Sequence, residues 1–156
     1  MEQPQYNLLT RERVEKEYHL LYKRHGLGLT VFSPLARGLL TDKYRQGIPP
    51  NSRAAQPDMG WFRKQVDDKK EELQKFGTLA SLAKEIGPDV KLSQLALAWT
   101  IKNPNVSSAI IGATSVAQLE ENLAAVSVMR KLTKEHMEKI DECMGNKPAS
   151  VPYRFP

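Results

Sequence analysis

The chain has 156 residues, of which 40% are hydrophobic and 26% are charged, and its formal net charge at pH 7 is +5. These values are typical of a globular protein and exclude disordered, collagen-like and disulfide-scaffold classes. The single cysteine cannot form an internal disulfide, and no apolar run approaches the roughly 18 residues of a membrane-spanning helix. We therefore expect one domain in the cytoplasm, with a weak preference for anionic partners.

The first part of the chain predicts extended segments on either side of a helix. An extended segment is predicted over residues 1–7, and the helix after it is capped by Thr10 and ends at residues 25–26. One face of this helix carries the apolar residues Val14, Tyr18, Leu21 and Tyr22. A buried strand is predicted over 27–32, and a polar loop with four prolines follows over 33–59.

The second part predicts four further helices around one strand. Apolar periodicity predicts one helix over 62–86 and another over 92–102. The run 106–111 predicts a central strand, and the S-x-x-Q pattern from Ser115 predicts a capping box at the next helix. A last helix is predicted over 133–144, before a proline-containing tail. The order indicates βαβ units with three parallel strands, each buried on both faces, but three strands leave hydrophobic edges unpaired.

Phe32 and the loop after it form the first candidate binding segment. The loop leaves the carboxyl end of a predicted parallel strand, which is where α/β sheets bind ligands. The Phe32 ring can stack on a flat heterocycle, and Ser33 with the following backbone N–H groups can bind phosphate oxygens. Lys43 and Arg53 add positive charge to the same loop. A proline-rich, solvated basic loop explains the same pattern, so the spacing alone leaves both interpretations open.

The second candidate segment joins the predicted strand at 106–111 to the N-terminus of a helix. Unpaired N–H groups and the helix dipole favour an anion there, and Thr114 and Ser115 add hydroxyl groups. Polar side chains able to hold one ligand follow on adjacent turns, at Gln118, Glu121 and Asn122. A plain capped helix with a polar outer face is the alternative. In the C-terminal half of an eight-stranded barrel, both segments would follow the last two strands, where phosphate sites recur.

The remaining chemistry-bearing residues form no recognisable site. The three histidines lack metal-ligand spacing, and Cys143 has no CxxC partner. The basic clusters lack the interleaved aromatic residues typical of nucleic-acid binding. The charge run at 67–72 is typical of a solvated helix face. We therefore expect no metal and no nucleic-acid partner.

Four motifs in order resemble the aldo-keto reductases, in particular the branch of the voltage-gated potassium channel β-subunits and their plant and microbial relatives. The motifs are FSPLARGLLTDKY at 32–44, GIPPNSR at 47–53, QLALAW at 94–99 and IGATSVAQLEEN at 111–122. The resemblance covers essentially the whole chain. It implies an α/β fold, the C-terminal half of a (β/α)8 TIM barrel with parallel strands and outer helices, over residues 1–145, with a tail at 146–156.

The resemblance also implies that NADPH or NADP+ is the cofactor of an enzyme that reduces aldehydes or ketones by hydride transfer. Gln3 would lie under the nicotinamide amide, and Phe32, where this branch more often has Trp or Tyr, would stack on the nicotinamide ring. The pyrophosphate would be lined by Ser33, Pro34, Leu35, Ala36 and Arg37. Lys43 would reach the phosphates, and Ser52 and Arg53 the adenosine side. The adenine and its 2′-phosphate ribose would contact Gly112, Thr114, Gln118, Glu121 and Asn122.

The family's catalytic tetrad of Asp, Tyr, Lys and His or Asn belongs to the N-terminal half of the barrel, and this chain has none of those positions. We therefore expect no catalytic residue here and no turnover by the 156 residues alone. The expected partners are a small carbonyl substrate and either the missing half of the barrel or another chain. A homo-oligomer, such as a tetramer, stays open. The alternative function is a potassium channel β-subunit-like regulator that senses NADPH redox state beside a membrane channel.

Overall fold

A computed structural model describes residues 1–149 of the chain. Its helices and strands follow in the order α1 (His19–His25), β1 (Leu29–Phe32), α2 (Gly60–Asp68), α3 (Lys70–Ile86), α4 (Leu92–Lys102), β2 (Val106–Ile110), α5 (Val116–Leu123), α6 (Ala125–Lys131) and α7 (Lys134–Met144). The loop between β1 and α2 contains three short 3-10 turns. Most of the predicted tail, at 150–156, lies outside the described residues.

The sheet is built around β1. Its partner β2 runs parallel to it and brings Phe32 opposite Ile110. The extended segment at 1–7 runs parallel to β1 on its other side, joined by two isolated bridges. Pro4 has no N–H and interrupts this ladder, although its carbonyl accepts the Phe32 N–H at 3.1 Å. The three predicted strands are therefore two strands and one bridged segment.

Helix α4 forms the centre of the helical layer and is buried on all sides along most of its length. Nine successive residues, 92–100, are buried, and the helix packs against β2 and three other helices. Along β1 the side chains alternate, so that Leu29 and Val31 are fully buried whereas Phe32 is exposed. The sheet consequently has one face covered by helices and one face uncovered.

The prediction of a fully buried central strand is wrong for β2. The strand ends at Ile110, none of its residues is fully buried, and within residues 1–149 it pairs only with β1. Ser107 and Ser108 are exposed at its centre. The reason is that no described neighbouring strand or helix covers its second edge and its outer face.

The predicted helix over 62–86 is divided into α2 and α3 at Lys69. The break lies inside the charge run at 67–72, where Glu71 and Glu72 occupy the first turn of α3. Negative side chains stabilise a helix N-terminus, so the run favours a new start rather than a continuous helix. The apolar stripe of α3, with Leu73, Phe76 and Ala83 buried, agrees with the prediction.

The start of the first helix also differs from the prediction. No side chain caps it; instead the Asn7 Oδ1 atom accepts the backbone N–H groups of Leu9 and Thr10 at 2.9 and 3.0 Å. A π-helical turn at Arg13–Glu17 precedes α1 and shifts the helical phase. Leu21 is therefore 37% exposed rather than buried with Val14.

The other predicted boundaries are confirmed closely. Gly26 and Gly145 adopt left-handed conformations and end α1 and α7. Helix α4 has the predicted bounds, and Thr133 caps α7 through a hydrogen bond from the His136 N–H. In the described range, no helix combines the length and the apolar character that crossing a bilayer requires.

Candidate functional site

The two candidate binding segments begin side by side. Phe32 and Ile110 are register partners at the carboxyl ends of β1 and β2, so the loop at 33–38 and the segment at 111–115 leave the same edge of the sheet. The Phe32 ring is 36% exposed on the uncovered face. This edge is where parallel α/β folds bind their ligands.

The loop at 33–38 has an unusual backbone. Ser33, Ala36 and Arg37 have φ values of 53°, 47° and 60°, although none of them is glycine. Each such conformation costs on the order of 1–3 kcal/mol and is typical of functional sites. The buried Asn7 side chain compensates part of this cost, because its Nδ2 group donates to the Ser33 carbonyl at 2.9 Å. Asn7 is a supporting residue that the sequence reasoning missed.

Part of this loop packs its side chains into the core. Pro34 and Ala36 are buried, and Leu35 packs against the core, so these residues leave mainly their backbone at the end of the strand. Lys43 passes close to Gly38, where a Cβ atom would lie 2.9 Å from the Lys43 Cε atom. Glycine is favoured at Gly38 by its φ of 99°, whereas the flexible Lys43 side chain could move aside for a larger residue.

Ser52 and Arg53 lie further along the same loop. Ser52 is buried, and its hydroxyl has no hydrogen-bond partner within the described residues. Such an orphaned polar atom is suited to a ligand oxygen. Arg53 is exposed at the start of a 3-10 turn. The next residue, Ala54, holds this turn in place, since its N–H donates to the Tyr44 hydroxyl at 3.4 Å and its carbonyl accepts from Arg63 Nε at 3.1 Å.

The second segment forms half of the predicted capping box. The Ser115 hydroxyl accepts the Gln118 N–H at 3.2 Å and caps α5. The Gln118 side chain does not return to Ser115; its Oε1 atom accepts the backbone N–H and the hydroxyl of Thr114, at 3.0 and 3.1 Å. Gly112, Thr114 and Gln118 are all exposed at this edge.

Glu121 and Asn122 are placed differently from Gln118. The Glu121 carboxylate forms an ion pair with Lys91 and a hydrogen bond with Ser93, both at 2.5 Å. Burial raises the pKa of Glu121, but the hydrogen bonds from Lys91 and Ser93 outweigh it and hold this pKa below its usual value. The Glu121 carboxylate is therefore held by the start of α4, and Asn122 is buried, whereas Gln118 is exposed.

Lys91 and Ser93 were not predicted as part of this region. They flank the start of α4, where the Gln94 side chain accepts the Lys91 N–H at 2.9 Å and donates to the Glu121 carbonyl at 3.1 Å. Gln3, in contrast, is exposed on the extended segment beside β1. Its neighbour Glu2 makes two of the backbone hydrogen bonds on this side of β1, with Gly28 and Thr30.

The hydroxyl groups of Tyr6 and Tyr22 are engaged in hydrogen bonds away from the candidate site. Tyr6 is buried, its hydroxyl donates to Glu15 at 2.8 Å, and burial raises its pKa far above the ordinary value. The Tyr22 hydroxyl donates to the Val14 carbonyl at 2.7 Å, and burial, followed by the charges of Tyr18 and Glu15, raises its pKa to about 12. Both phenols keep their protons at neutral pH and serve packing.

Comparison with known proteins places this arrangement in a family. A model of the aldo/keto reductase family matches residues 1–144. A probable voltage-gated potassium channel subunit beta of Arabidopsis thaliana is 46% identical over 151 residues, and its counterpart in Oryza sativa subsp. japonica is 47% identical over 151 residues. A putative voltage-gated potassium channel subunit beta of Schizosaccharomyces pombe is 43% identical over 154 residues.

These alignments cover 95% to 98% of the chain but only 44% of each relative. The chain therefore spans less than half the length of the relatives that it matches. The family match extends over both candidate segments and all the described helices. The chain belongs to the aldo/keto reductase family.

Proposed function

We propose that this chain is the NADPH-binding, C-terminal half of an aldo-keto reductase barrel, and that the assembled protein reduces aldehydes or ketones. The observation that carries the proposal is the pairing of Phe32 with Ile110, which starts the strained loop at 33–38 and the segment at 111–115 from one edge. Bound NADPH would supply the hydride. The residues of this chain would hold and orient it.

The chemistry of this edge fits a phosphorylated dinucleotide. An exposed aromatic ring at Phe32 suits a nicotinamide, and a loop with several positive φ values is a backbone conformation suited to binding a pyrophosphate. Lys43 and Arg53 are exposed cations on the same loop. The orphaned Ser52 hydroxyl is one donor for the adenosine side. Since Lys91 neutralises Glu121, that carboxylate does not repel a phosphate at α5.

The uncovered surfaces support the missing half of the barrel as a partner. Within residues 1–149, β2 has an unpaired edge, and Phe32 and Ile110 are exposed on the open sheet face. Exposed apolar residues also share the outer side of α5 and α6, at Val116, Leu119, Leu123 and Val126. We call these four residues the outer stripe. An N-terminal half with parallel strands would cover both surfaces and supply the catalytic tetrad.

An activity measurement on the reassembled barrel tests this proposal. The chain is co-expressed with the N-terminal part of the Arabidopsis thaliana relative, and NADPH oxidation is followed with an aromatic aldehyde as substrate. We expect turnover by the complex and none by either part alone. Normal turnover by the 156-residue chain alone, or none by a complex that binds NADPH, would contradict the proposal.

The second candidate is a regulatory β-subunit, and the descriptions of the relatives as potassium channel subunits favour it. In this role NADPH occupancy would report the redox state to a channel, with turnover secondary and the protein in the cytoplasm beside the membrane. Co-purification of the complex with the cytoplasmic domain of a plant voltage-gated potassium channel would support it. Fast turnover without any such association would count against it.

A further inference from the structure

A row of aromatic side chains connects α2 to the phosphate loop. The Trp61 ring packs on Phe62 with centroids 5.6 Å apart, and Phe62 meets Tyr44 edge-on at 5.8 Å. Phe62 and Tyr44 are buried, whereas Trp61 is 52% exposed. We call Trp61, Phe62 and Tyr44 the aromatic row.

A cation of the loop lies on each end of the aromatic row. The Arg37 guanidinium stands over the Trp61 ring at 5.3 Å, and the Lys43 ammonium stands over the Tyr44 ring at 5.1 Å. Neither cation forms an ion pair with a described carboxylate. Their positive charges therefore remain available to an anion.

The same turn of α2 holds the loop at a second point. Arg63 donates from Nε to the Ala54 carbonyl at 3.1 Å and from Nη2 to the Gln56 carbonyl at 3.2 Å. Helix α2 thus contacts the loop beside Arg37 and again beside Arg53. Its first turn sets the spacing between those two parts of the loop.

We propose that Trp61 is a positioning residue for phosphate binding, which holds the Arg37 guanidinium ready for the phosphates of a dinucleotide. This inference rests on the proposed function. The turn that contains Arg37 is held by hydrogen bonds from the Gly38 and Leu40 N–H groups to the Leu35 carbonyl, at 2.8 and 3.2 Å, so the Arg37 side chain is the part that a ligand would otherwise have to order. A tryptophan face orders a guanidinium and leaves its N–H groups free for an anion.

Trp61 is suited to a test by mutation because its ring is half-exposed. A substitution there is expected to affect the contact with Arg37 more than the stability of the fold. Phe62 is fully buried and fills the core below it, so Trp61→Ala removes a half-exposed ring and keeps the buried contacts of α2. Lys64, an exposed cation on the same helix, provides the matched control Lys64→Ala.

The test is a thermodynamic cycle of NADP+ affinity measured on the full chain. We expect Arg37→Ala to weaken binding about tenfold, as loss of a charged hydrogen bond does. Trp61→Ala should weaken it about two- to fivefold, and Trp61→Phe should recover part of this loss. In the Arg37→Ala background, Trp61→Ala should cause no further loss, and Lys64→Ala should have no effect in either background.

The possible results distinguish failure of the positioning role of Trp61 from failure of the proposed function. Equal losses from Trp61→Ala with and without Arg37 would overturn the positioning role, because a purely structural contribution does not depend on the guanidinium. An Arg37→Ala loss without any Trp61→Ala loss would also overturn it, while leaving the proposed function in place. Absence of NADP+ binding by the folded wild-type chain would overturn the proposed function and this inference with it.

Tryptophan fluorescence gives a second readout. Trp61 is half-exposed and Trp99 is 2% exposed, so they are distinguishable by emission and by quenching with a soluble quencher. If phosphates engage the Arg37 guanidinium, NADP+ should change the emission of Trp61, and the change should disappear in Trp61→Phe and in Arg37→Ala. A change that persists undiminished in Arg37→Ala would contradict the proposal.

Discussion

Phe32 of β1 lies opposite Ile110 of β2, at the carboxyl ends of both strands. The two side chains are 36% and 44% exposed on the open face of the sheet. Through this pair, two segments distant in sequence become neighbours, which is how a nucleotide site is assembled in α/β folds. The first prediction concerns the aromatic member of the pair.

Phe32→Ala should weaken NADP+ binding about tenfold, since stacking of a planar base on an aromatic ring is worth roughly 1–3 kcal/mol. Phe32→Trp keeps a stacking face and is the matched control, with affinity close to the wild type. Calorimetric titration of the three proteins checks this. Equal losses in the Ala and Trp variants would show that the ring itself does not contact the cofactor.

The ion pair of Glu121 with Lys91 predicts a pH dependence. Because the pKa of Glu121 is held below its ordinary value of 4.5, the pair stabilises the fold above that pH, and this contribution is lost as the pH falls through the folded-state pKa. Glu121→Gln should lower the free energy of unfolding at neutral pH by ~0.5–1 kcal/mol. Its deficit relative to the wild type should vanish in acid.

Urea unfolding at a series of pH values measures this difference. The control is Glu120→Gln, which changes an exposed neighbouring carboxylate and should leave stability unchanged at every pH. A Glu121→Gln deficit that is the same at neutral and acidic pH would show that the ion pair is not its source.

Arg11 predicts a large effect on stability. Its guanidinium binds Glu15 and Asp141, each at 2.8 Å, and lies over the Trp99 ring at 5.0 Å. Arg11→Ala leaves Glu15 without its cation and leaves Asp141 with only the exposed Lys147 at 2.7 Å, and should cost about 3 kcal/mol.

The matched control is Arg13→Ala. Arg13 is exposed and pairs loosely with Glu17 at 3.6 Å, so its loss should cost less than about 0.5 kcal/mol. Chemical unfolding of both variants gives the comparison. Similar losses from the two substitutions would refute the role of Arg11 in joining the first helical turns to α7.

The outer stripe predicts a defect in assembly rather than in folding. Leu119→Glu and Leu123→Glu change exposed side chains, so the chain should keep its helix content and unfolding midpoint. Both should prevent co-purification with the N-terminal half, because a charge buried in an apolar interface is costly. Ala117→Glu, an exposed position beside the stripe, is the control and should assemble normally. Normal assembly of both leucine variants would show that the stripe is not the contact surface.

The parts of the fold that were predictable from sequence depend on local signals. The bounds of α4 and the ends of α1 and α7 follow from apolar periodicity and from the residues Gly26 and Gly145. The break at Lys69 depends on acidic side chains in the charge run, which favour the start of a new helix. Apolar periodicity carries no information about such a break. The π-helical turn before α1 rotates Leu21 away from the buried face of Val14. No residue type in the sequence predicts this turn.

The candidate site likewise has features that the sequence predicted and features that it did not. Motif order and strand ends predicted that the loop after Phe32 and the segment from Gly112 would meet. The positive φ values at Ser33, Ala36 and Arg37 have no sequence signal, since none of these residues is glycine or asparagine. The contacts of Lys91 with Glu121 and of Trp61 with Arg37 join residues distant in sequence, so only the packed structure shows them.

The central claim is that this chain holds a phosphorylated dinucleotide, and parallel calorimetric titrations of the full chain with NADP+ and NAD+ test it most directly. We expect NADP+ to bind about tenfold more tightly, since its 2′-phosphate gains a charged contact at this basic edge. Arg53→Ala should remove most of that difference. Equal affinities for the two dinucleotides in the wild type, or no binding of either by the folded chain, would contradict the account.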